Sequence, residues 1–238
     1  MSGPPPPSIR TTSDPLIRRA GEALGRLNAR HPWNHNAHFH PWILAGIPAR
    51  ARSALDVGCG RGDLVAALRG RVPHVEGIDP DAAMARAAGD RFAVLPAVRI
   101  RALRLEQLDP AQERYDLITM VASLHHMQVP DALARVRSLL RPGGRLRIVT
   151  LVRPVTWRDH AWDVGNALVN PLIGIVKHPR PAAAAERERA QDATMPVRDP
   201  QLTLAELREA ASRLLPGARI RRREGFRVTL AWEAPPAG

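Results

Sequence analysis

The segment LDVGCGRGD at residues 55–63 constrains the fold of this chain more than any other part of the sequence. A short apolar run ends at Val57, and glycine then occupies alternate positions at Gly58, Gly60 and Gly62 before a helical pattern starts. Glycine accepts positive φ angles and lets a ligand approach the backbone closely. A glycine-rich turn between a strand and a helix is typical of the ligand-binding edge of an open α/β sheet.

Two carboxylates accompany this loop. Asp56 opens it, and Asp79 ends the next predicted strand, where an acid can accept hydrogen bonds from both hydroxyls of a ribose. The loop is not the dinucleotide fingerprint, because Asp63 stands where GxGxxG requires glycine, and no Gly-Lys-Ser/Thr follows to make a P-loop. Carboxylates here repel pyrophosphate and suit a ligand that carries positive charge.

Short apolar runs alternate with helical patterns from Ser53 onward, as in a wound α/β domain. The pattern predicts an α/β fold, with a Rossmann-like doubly wound sheet of about seven strands, mostly parallel with an antiparallel C-terminal hairpin strand. The predicted strands are 54–57, 74–78, 98–102, 115–121, 146–152, 218–222 and 226–232.

Helices are predicted at 64–68, 81–88 and 133–140. We expect Pro142, Gly143 and Gly144 to stop the last of these, since proline and consecutive glycines cannot extend a helix. Thr203 and Glu206 match a capping box that opens one more helix.

The chain divides into three predicted parts: a disordered proline-rich arm at 1–15, an N-terminal helical cap at 16–50, whose first helix spans 16–27, and a ligand-binding domain at 51–238. A helical insertion at about 153–200 interrupts the domain. Its apolar stretch 167–176 is a substrate-covering flap, an interfacial membrane helix or a packing element. Interruption by Asn170, Pro171 and Gly174 favours the flap.

Four motifs in order resemble those of class I S-adenosylmethionine-dependent methyltransferases: LDVGCGRGD, GIDP, YDLITMVASLHHM and LLRPGGRLRIV. The resemblance covers about residues 51–152. The segment WNHNAHFHPWIL at 33–44 is also similar to the N-terminal segment of small-molecule members. The resemblance implies S-adenosylmethionine as cofactor and methyl transfer to an O or N atom of a small molecule.

The resemblance also implies roles for single residues. Asp79 would bind the ribose, Pro80 would lie beside the adenine, and Leu105 would present its backbone to the adenine. Many relatives have aspartate where this chain has Arg104, which cannot accept a hydrogen bond from the adenine amine. The methionine portion would be held by Asp56 and by the backbone of Gly58, Cys59, Gly60 and Gly62, with Val121 and Ala122 near the cofactor.

His125 and His126 follow the fourth strand directly, on the ligand-facing end of the sheet. Histidine titrates near neutrality, so either residue is a catalytic base for an acceptor that is protonated at working pH. The alternative is that one histidine packs structurally and the other faces solvent.

Four more histidines, His31, His35, His38 and His40, lie in the N-terminal segment. Their spacing allows metal binding on a helix, but Pro32 and Pro41 break up such a helix and no carboxylate accompanies them. A lid over the cofactor entrance and plain packing are the other interpretations. We expect no metal site.

The net charge of +12 raises the alternative of an RNA methyltransferase. All but one of the 35 basic residues are arginines, spread along the chain, and aromatic residues make up only 4%, so we interpret the charge as solvated surface. The run Arg221–Arg223 is predicted to be a solvated strand end. Val121-Ala122-Ser123-Leu124 stands where amino-methylating nucleic-acid enzymes often carry an Asn/Asp-Pro-Pro-aromatic signature. A non-catalytic S-adenosylmethionine-binding module is the other alternative.

Cys59 is the only cysteine, which excludes an internal disulfide and a cysteine-rich zinc site. We expect it to be a small buried side chain. No apolar run approaches the roughly 18 residues of a membrane span, and residues 1–10 lack the core of a secretory signal. These features predict a cytoplasmic protein, whereas the small-molecule partner is what the resemblance implies.

Overall fold

The computed structural model describes residues 33–177 and 200–237, together with residues 19, 23–25, 27, 30, 31, 179 and 180. The predicted arm at 1–15 lies outside the described residues, and so do residues 181–199 of the predicted insertion. The predicted helix at 16–27 is described at five positions, all of them helical.

A seven-stranded sheet forms the centre of the fold, in the order β3-β2-β1-β4-β5-β7-β6. All neighbours pair in parallel except β7, which is antiparallel to both β5 and β6. The predicted fold class is therefore confirmed. The strands are β1 (Ser53–Val57), β2 (His74–Ile78), β3 (Val98–Arg101), β4 (Tyr115–Val121), β5 (Leu140–Thr150), β6 (Arg219–Arg223) and β7 (Arg227–Glu233).

Strand order reverses between β1 and β4, because the chain builds outward from β1 to β3 and then returns to the other side of β1. Open α/β sheets bind ligands at the carboxyl ends of the two strands that flank such a reversal. Both strands are buried on both faces, which explains their nearly continuous apolar sequences. The fold thus places the carboxyl end of β1, at Val57, and the carboxyl end of β4, at Val121, at one crevice.

Helices cover both faces of the sheet. Thr203 caps α6 with the predicted box, since its hydroxyl accepts from Glu206 N–H and the Glu206 carboxylate accepts from Thr203 N–H. Asp81 caps α3 through Ala83 and Met84 N–H. The helices of the described residues are α1 (His40–Leu44), α2 (Asp63–Leu68), α3 (Ala82–Phe92), α4 (Val129–Leu139), α5 (Trp157–Lys177) and α6 (Leu204–Leu214), with 3₁₀ turns at Ala37–Phe39, Leu105–Gln107 and Leu124–His126.

The helix before Pro142, Gly143 and Gly144 ends within one residue of its predicted end, but the predicted start of the next strand at 146 is wrong. Helix α4 already ends at Leu139, and β5 runs from Leu140 through all three residues. Gly143 has a φ of +71° and donates to the carbonyl of Ala234 at 3.1 Å, and the β4–β5 register shifts at this point. A bulge therefore absorbs the residues that the sequence pattern assigned to a turn.

The segment that precedes β1 packs into the sheet domain. Phe39 and Ile43 are buried in one core cluster with Leu64 and Val65 of α2. Pro41 does not break the local helix as predicted, since it lies in the first turn of α1, where its missing N–H costs nothing.

Helix α5 carries its polar and apolar residues in an unexpected arrangement. Asn166, Asn170 and Gly174 are buried, whereas Leu168 and Leu172 are 56% and 59% exposed. The polar positions that were expected to interrupt an apolar face instead form the inner face, and the outer face is apolar. None of the described helices combines the length and the apolar content that crossing a bilayer requires.

Candidate functional site

The loop after β1 has three left-handed glycines, with φ angles of +75° at Gly58, +53° at Gly60 and +79° at Gly62. The N–H groups of Gly58 and Cys59 both donate to the carbonyl of Ile78, at 2.8 and 3.0 Å, which ties the loop to the end of β2. A Cβ at Gly60 would meet nothing within 4 Å, so this side of the loop is open. The backbone conformation requires glycine where the sequence places it.

Asp79 holds the same loop from the end of β2. Its Oδ2 accepts from Gly60 N–H at 2.8 Å, and its Oδ1 accepts from Asp81 N–H at 2.9 Å. The side chain is largely buried. Two backbone donors therefore orient the carboxylate beside the glycine loop.

Asp56 is buried just before the loop, where its Oδ1 accepts from the Thr119 hydroxyl at 2.8 Å. Burial raises the pKa of Asp56 to about 7; the Thr119 hydrogen bond opposes the shift, and the nearby Asp79 charge adds to it. The two carboxylates are therefore close enough to interact. A buried acid of this kind is stabilised in its ionised form by a cationic ligand.

This raised pKa predicts how stability depends on pH. Between the ordinary pKa of 3.8 and about 7, the folded protein retains a proton on Asp56 that the unfolded chain has released. The free energy of unfolding of the ligand-free protein should therefore fall as pH rises through this window. Urea denaturation at several pH values measures the slope, and Asp56→Asn is the control. An equally steep fall in Asp56→Asn would assign the effect to other groups.

The end of β4 closes the crevice opposite the loop. Ala122 has a φ of +55°, which is uncommon for a residue with a Cβ, and its N–H donates to the Val149 carbonyl at 2.8 Å. The Ser123 hydroxyl donates to the Val57 carbonyl at 2.7 Å. Val121 and Ala122 are half-buried. This strained end fits a functional site, where such conformations concentrate.

The remaining predicted cofactor residues differ in their burial. Cys59 is buried as expected, and burial raises the pKa of its thiol. Leu105 has a buried side chain in the core cluster that includes Val57 and Ile78, whereas Pro80 is exposed. Arg104 N–H donates to Gln107 Oε1 at 2.8 Å, so the backbone of this turn is fixed locally.

His125 and His126 have different surroundings, although their rings lie 4.0 Å apart. His126 is exposed and His125 half-buried, and His125 Nδ1 is a buried atom without a hydrogen-bond partner among the described residues. Burial lowers the pKa of His125 to about 4, and the charges of His126 and Arg227 contribute. His125 is therefore neutral at physiological pH and can accept a proton.

Two of the N-terminal histidines form hydrogen bonds with distant parts of the chain and do not converge on a shared metal site. His35 Nε2 donates to Asn170 Oδ1 of α5 at 2.9 Å, and His38 Nε2 donates to Glu224 Oε1 at 2.8 Å. The Trp33 ring lies 4.1 Å from the His35 ring. Across the described ranges, no three His, Cys, Asp or Glu residues converge as metal ligands would.

Sequence reasoning missed several residues of the crevice. Thr119 and Ser123 hold Asp56 and the loop, and the signal for Thr119 was a hydroxyl inside an otherwise apolar strand. Arg227 was missed entirely. Burial lowers the pKa of this arginine to about 10, and its Nη2 donates to Asn36 Oδ1 at 3.1 Å.

The prediction that Arg221–Arg223 is a solvated strand end is correct for Arg221 only. Arg221 is exposed, but Arg222 forms an ion pair with Asp159 of α5, and Arg223 Nε is a buried atom. Arg222 points to the opposite face of the sheet from Arg221 and Arg223, and Arg223 differs from Arg221 in lying next to the hairpin turn.

Comparison with known proteins gives consistent results. A family model described as "Methyltransferase domain" matches residues 55–146. An uncharacterized methyltransferase of Mycobacterium tuberculosis is 35% identical, over 86% of this chain and 98% of the relative. A ubiquinone biosynthesis O-methyltransferase of Paraburkholderia phytofirmans is 32% identical, over 52% of this chain and 59% of the relative.

Among solved structures, the magnesium protoporphyrin IX methyltransferase of Synechocystis PCC 6803, with bound S-adenosylhomocysteine, has a similar fold. Its TM-score is 0.53 at 17% identity, over 94% of this chain and 88% of that one. At this identity the likeness concerns the fold alone.

Proposed function

The chain belongs to the class I S-adenosylmethionine-dependent methyltransferases, and from this premise we propose that it methylates an oxygen or nitrogen atom of a small molecule. The observation that carries the proposal is the convergence of Asp56 and Asp79 on one open glycine loop. Such a site suits a cationic nucleoside. It lies at the carboxyl end of β1, beside the crevice where α/β folds bind ligands.

The residues present fit the cofactor. S-adenosylmethionine supplies a methyl group on a positively charged sulfur. We propose that Asp56 and the backbone of residues 58–62 bind its methionine portion, because Asp56 is a buried acid without a cationic partner among the described residues. Asp79 would bind the ribose hydroxyls, with the backbone at Leu105 and the ring of Pro80 near the adenine. Val121 and Ala122 would border the sulfur end.

Three elements meet at the acceptor side of the crevice: the N-terminal segment, the inner face of α5 and the β6–β7 hairpin turn. A Cβ at Gly174 would lie 2.5 Å from the His31 carbonyl, and one at Gly225 would lie 2.9 Å from His35 Cδ2, so the three elements are in close contact. We propose that the cap at 16–50 and the insertion at 153–200 enclose the acceptor and exclude water.

Asp79→Ala should weaken S-adenosylmethionine binding by on the order of 1.5–3 kcal/mol, because the ribose loses a charged hydrogen-bond partner. Calorimetry measures the affinity. Asp81→Ala is the matched control, since it removes the α3 cap with its bonds to Ala83 and Met84 and leaves the Asp79 carboxylate in place. Unchanged affinity in Asp79→Ala would contradict the ribose assignment.

The overall proposal is tested by the release of S-adenosylhomocysteine with a panel of phenols, amines and carboxylic acids. A small-molecule methyltransferase turns over at least one class, and the same assay with transcribed RNA tests the nucleic-acid alternative. Turnover with RNA alone, with binding that weakens steeply as salt rises, would overturn the proposal.

A further inference from the structure

Two arginines face each other at the end of the β6–β7 hairpin. Arg223 and Arg227 are direct register partners, so their side chains project from the same face of the sheet. Both side chains are thus presented from one face of the hairpin, directly beside its turn.

Neither arginine forms an ion pair within the described ranges. The Nε atoms of both are buried and have no hydrogen-bond partner there. The Arg227 guanidinium donates only to neutral oxygens, the carbonyl of Gly225 at 3.2 Å and Asn36 Oδ1 at 3.1 Å. The acid beside them, Glu224, accepts instead from His38. Neither guanidinium therefore has a carboxylate as hydrogen-bond partner among the described residues, although Glu224 lies close enough to Arg223 for their charges to interact.

The neighbouring arginine shows the contrast. Arg222 points to the other face of the same strand and has Asp159 as its partner. The partly buried Arg222 is therefore neutralised by an acid, unlike the partly buried Arg223 and Arg227. The unneutralised pair lies on the face that the N-terminal segment covers, since Arg227 contacts Asn36.

The pair also lies at the reacting end of the sheet. Thr150, the last residue of parallel strand β5, pairs with Val228 of β7, which places Arg227 at the carboxyl edge. The charge of Arg227 acts on His125 and on His35, which contact the crevice from two different elements. Arg227 is therefore close enough to the candidate base for its charge to act on that ring, and Arg223 is its register partner on the edge strand, at the opposite end of the sheet from β3.

We propose that Arg223 and Arg227 form an anion subsite that holds an acidic group, a carboxylate or a phosphate, of the methyl acceptor. The subsite rests on the proposed function, and it makes the acceptor an acid whose nucleophilic hydroxyl or amine lies elsewhere on the molecule. A guanidinium presents a planar array of N–H donors that matches two oxygens of such a group. Half-buried side chains leave the remaining donors accessible while weakening the competition from water.

Acetate and phosphate are the probes, tested by thermal unfolding in the presence of S-adenosylhomocysteine. At ten times its Kd, the probe that fits should raise the melting temperature of the wild-type protein by roughly 3–6 °C. Arg227→Gln and Arg223→Gln should each lose this rise. Arg208→Gln, which removes one exposed charge from α6, should keep it. Acetate and phosphate compared at one common concentration distinguish a carboxylate from a phosphate site, since the anion that binds more tightly raises the melting temperature further.

The proposal is overturned if neither anion stabilises the wild-type protein, or if all four proteins respond equally. Arg227→Lys and Arg223→Lys cover the case in which a glutamine variant does not fold; they should retain a weaker response. Calorimetry with S-adenosylhomocysteine on the same variants separates the two proposals. Failure of the wild-type protein to bind this nucleoside contradicts the proposed function, whereas normal nucleoside binding without an anion response contradicts the subsite alone.

Discussion

Gly58→Ala is expected to destabilise the protein by about 2–5 kcal/mol and to eliminate measurable cofactor binding. A φ of +75° costs an L-residue roughly 1–2 kcal/mol, and the new Cβ would lie 2.5 Å from Ser123 Cβ. Overpacking of this kind costs about 1–3 kcal/mol more. Relief of the clash would displace Ser123 and break its 2.7 Å bond to the Val57 carbonyl. Urea denaturation and calorimetry measure the two effects.

Gly60→Ala is the matched control, because Gly60 also has positive φ but a Cβ there meets nothing within 4 Å. It should cost only the backbone strain, about 1–2 kcal/mol. The double variant Gly58→Ala/Ser123→Gly removes the steric contact and should recover part of the lost stability. Equal losses of unfolding free energy in Gly58→Ala and Gly60→Ala would show that the contact with Ser123 adds nothing to the cost at Gly58.

The sheet and its glycine loop could be predicted because their signals are local. Strands β2 and β4 have the predicted bounds, and each ends at an apolar residue that a loop follows directly. The loop glycines and Asp79 are also local features, because each directly follows a predicted strand. The alternation of strands and helices then predicts that these two strands are neighbours. These residues meet once the parallel pairing of β1 with β2 forms.

The contacts of the N-terminal segment could not be predicted, because they join residues far apart in the chain. His35 meets Asn170 across 135 positions, and His38 meets Glu224 across 186. Nor does the sequence show which arginines of the hairpin are neutralised, since this depends on the register that pairs Arg223 with Arg227. Local patterns carry no information about either pairing.

The inner face of α5 was misjudged for a related reason. Hydrophobic periodicity predicts that an apolar stripe packs inward, but here Asn166 and Asn170 are buried and the leucines are exposed. Asn170 is buried and accepts a hydrogen bond from His35 of the N-terminal segment. A contact with a distant part of the chain therefore overrides the pattern that normally orients a helix.

His125→Ala is expected to lower kcat by roughly 10²–10⁴-fold with an acceptor that must lose a proton, the usual contribution of a positioned base. His125 suits this role because burial, aided by the His126 and Arg227 charges, keeps its pKa at about 4 and its ring neutral. Activity should therefore persist as pH falls through 6 and decline only towards pH 4. Initial rates of S-adenosylhomocysteine formation measured from pH 4 to 9 report this profile.

His126→Ala is the control for the histidine pair, because His126 is exposed and its ring lies 4.0 Å from that of His125. It should keep most of kcat and move the acid limb of the pH profile upward, since one charge that lowers the pKa of His125 is removed. An acceptor whose nucleophile is already deprotonated should be insensitive to His125→Ala. Full activity of His125→Ala with a hydroxyl acceptor would contradict this role. The hydroxyl proton would then pass to solvent, and no base would be required at this end of β4.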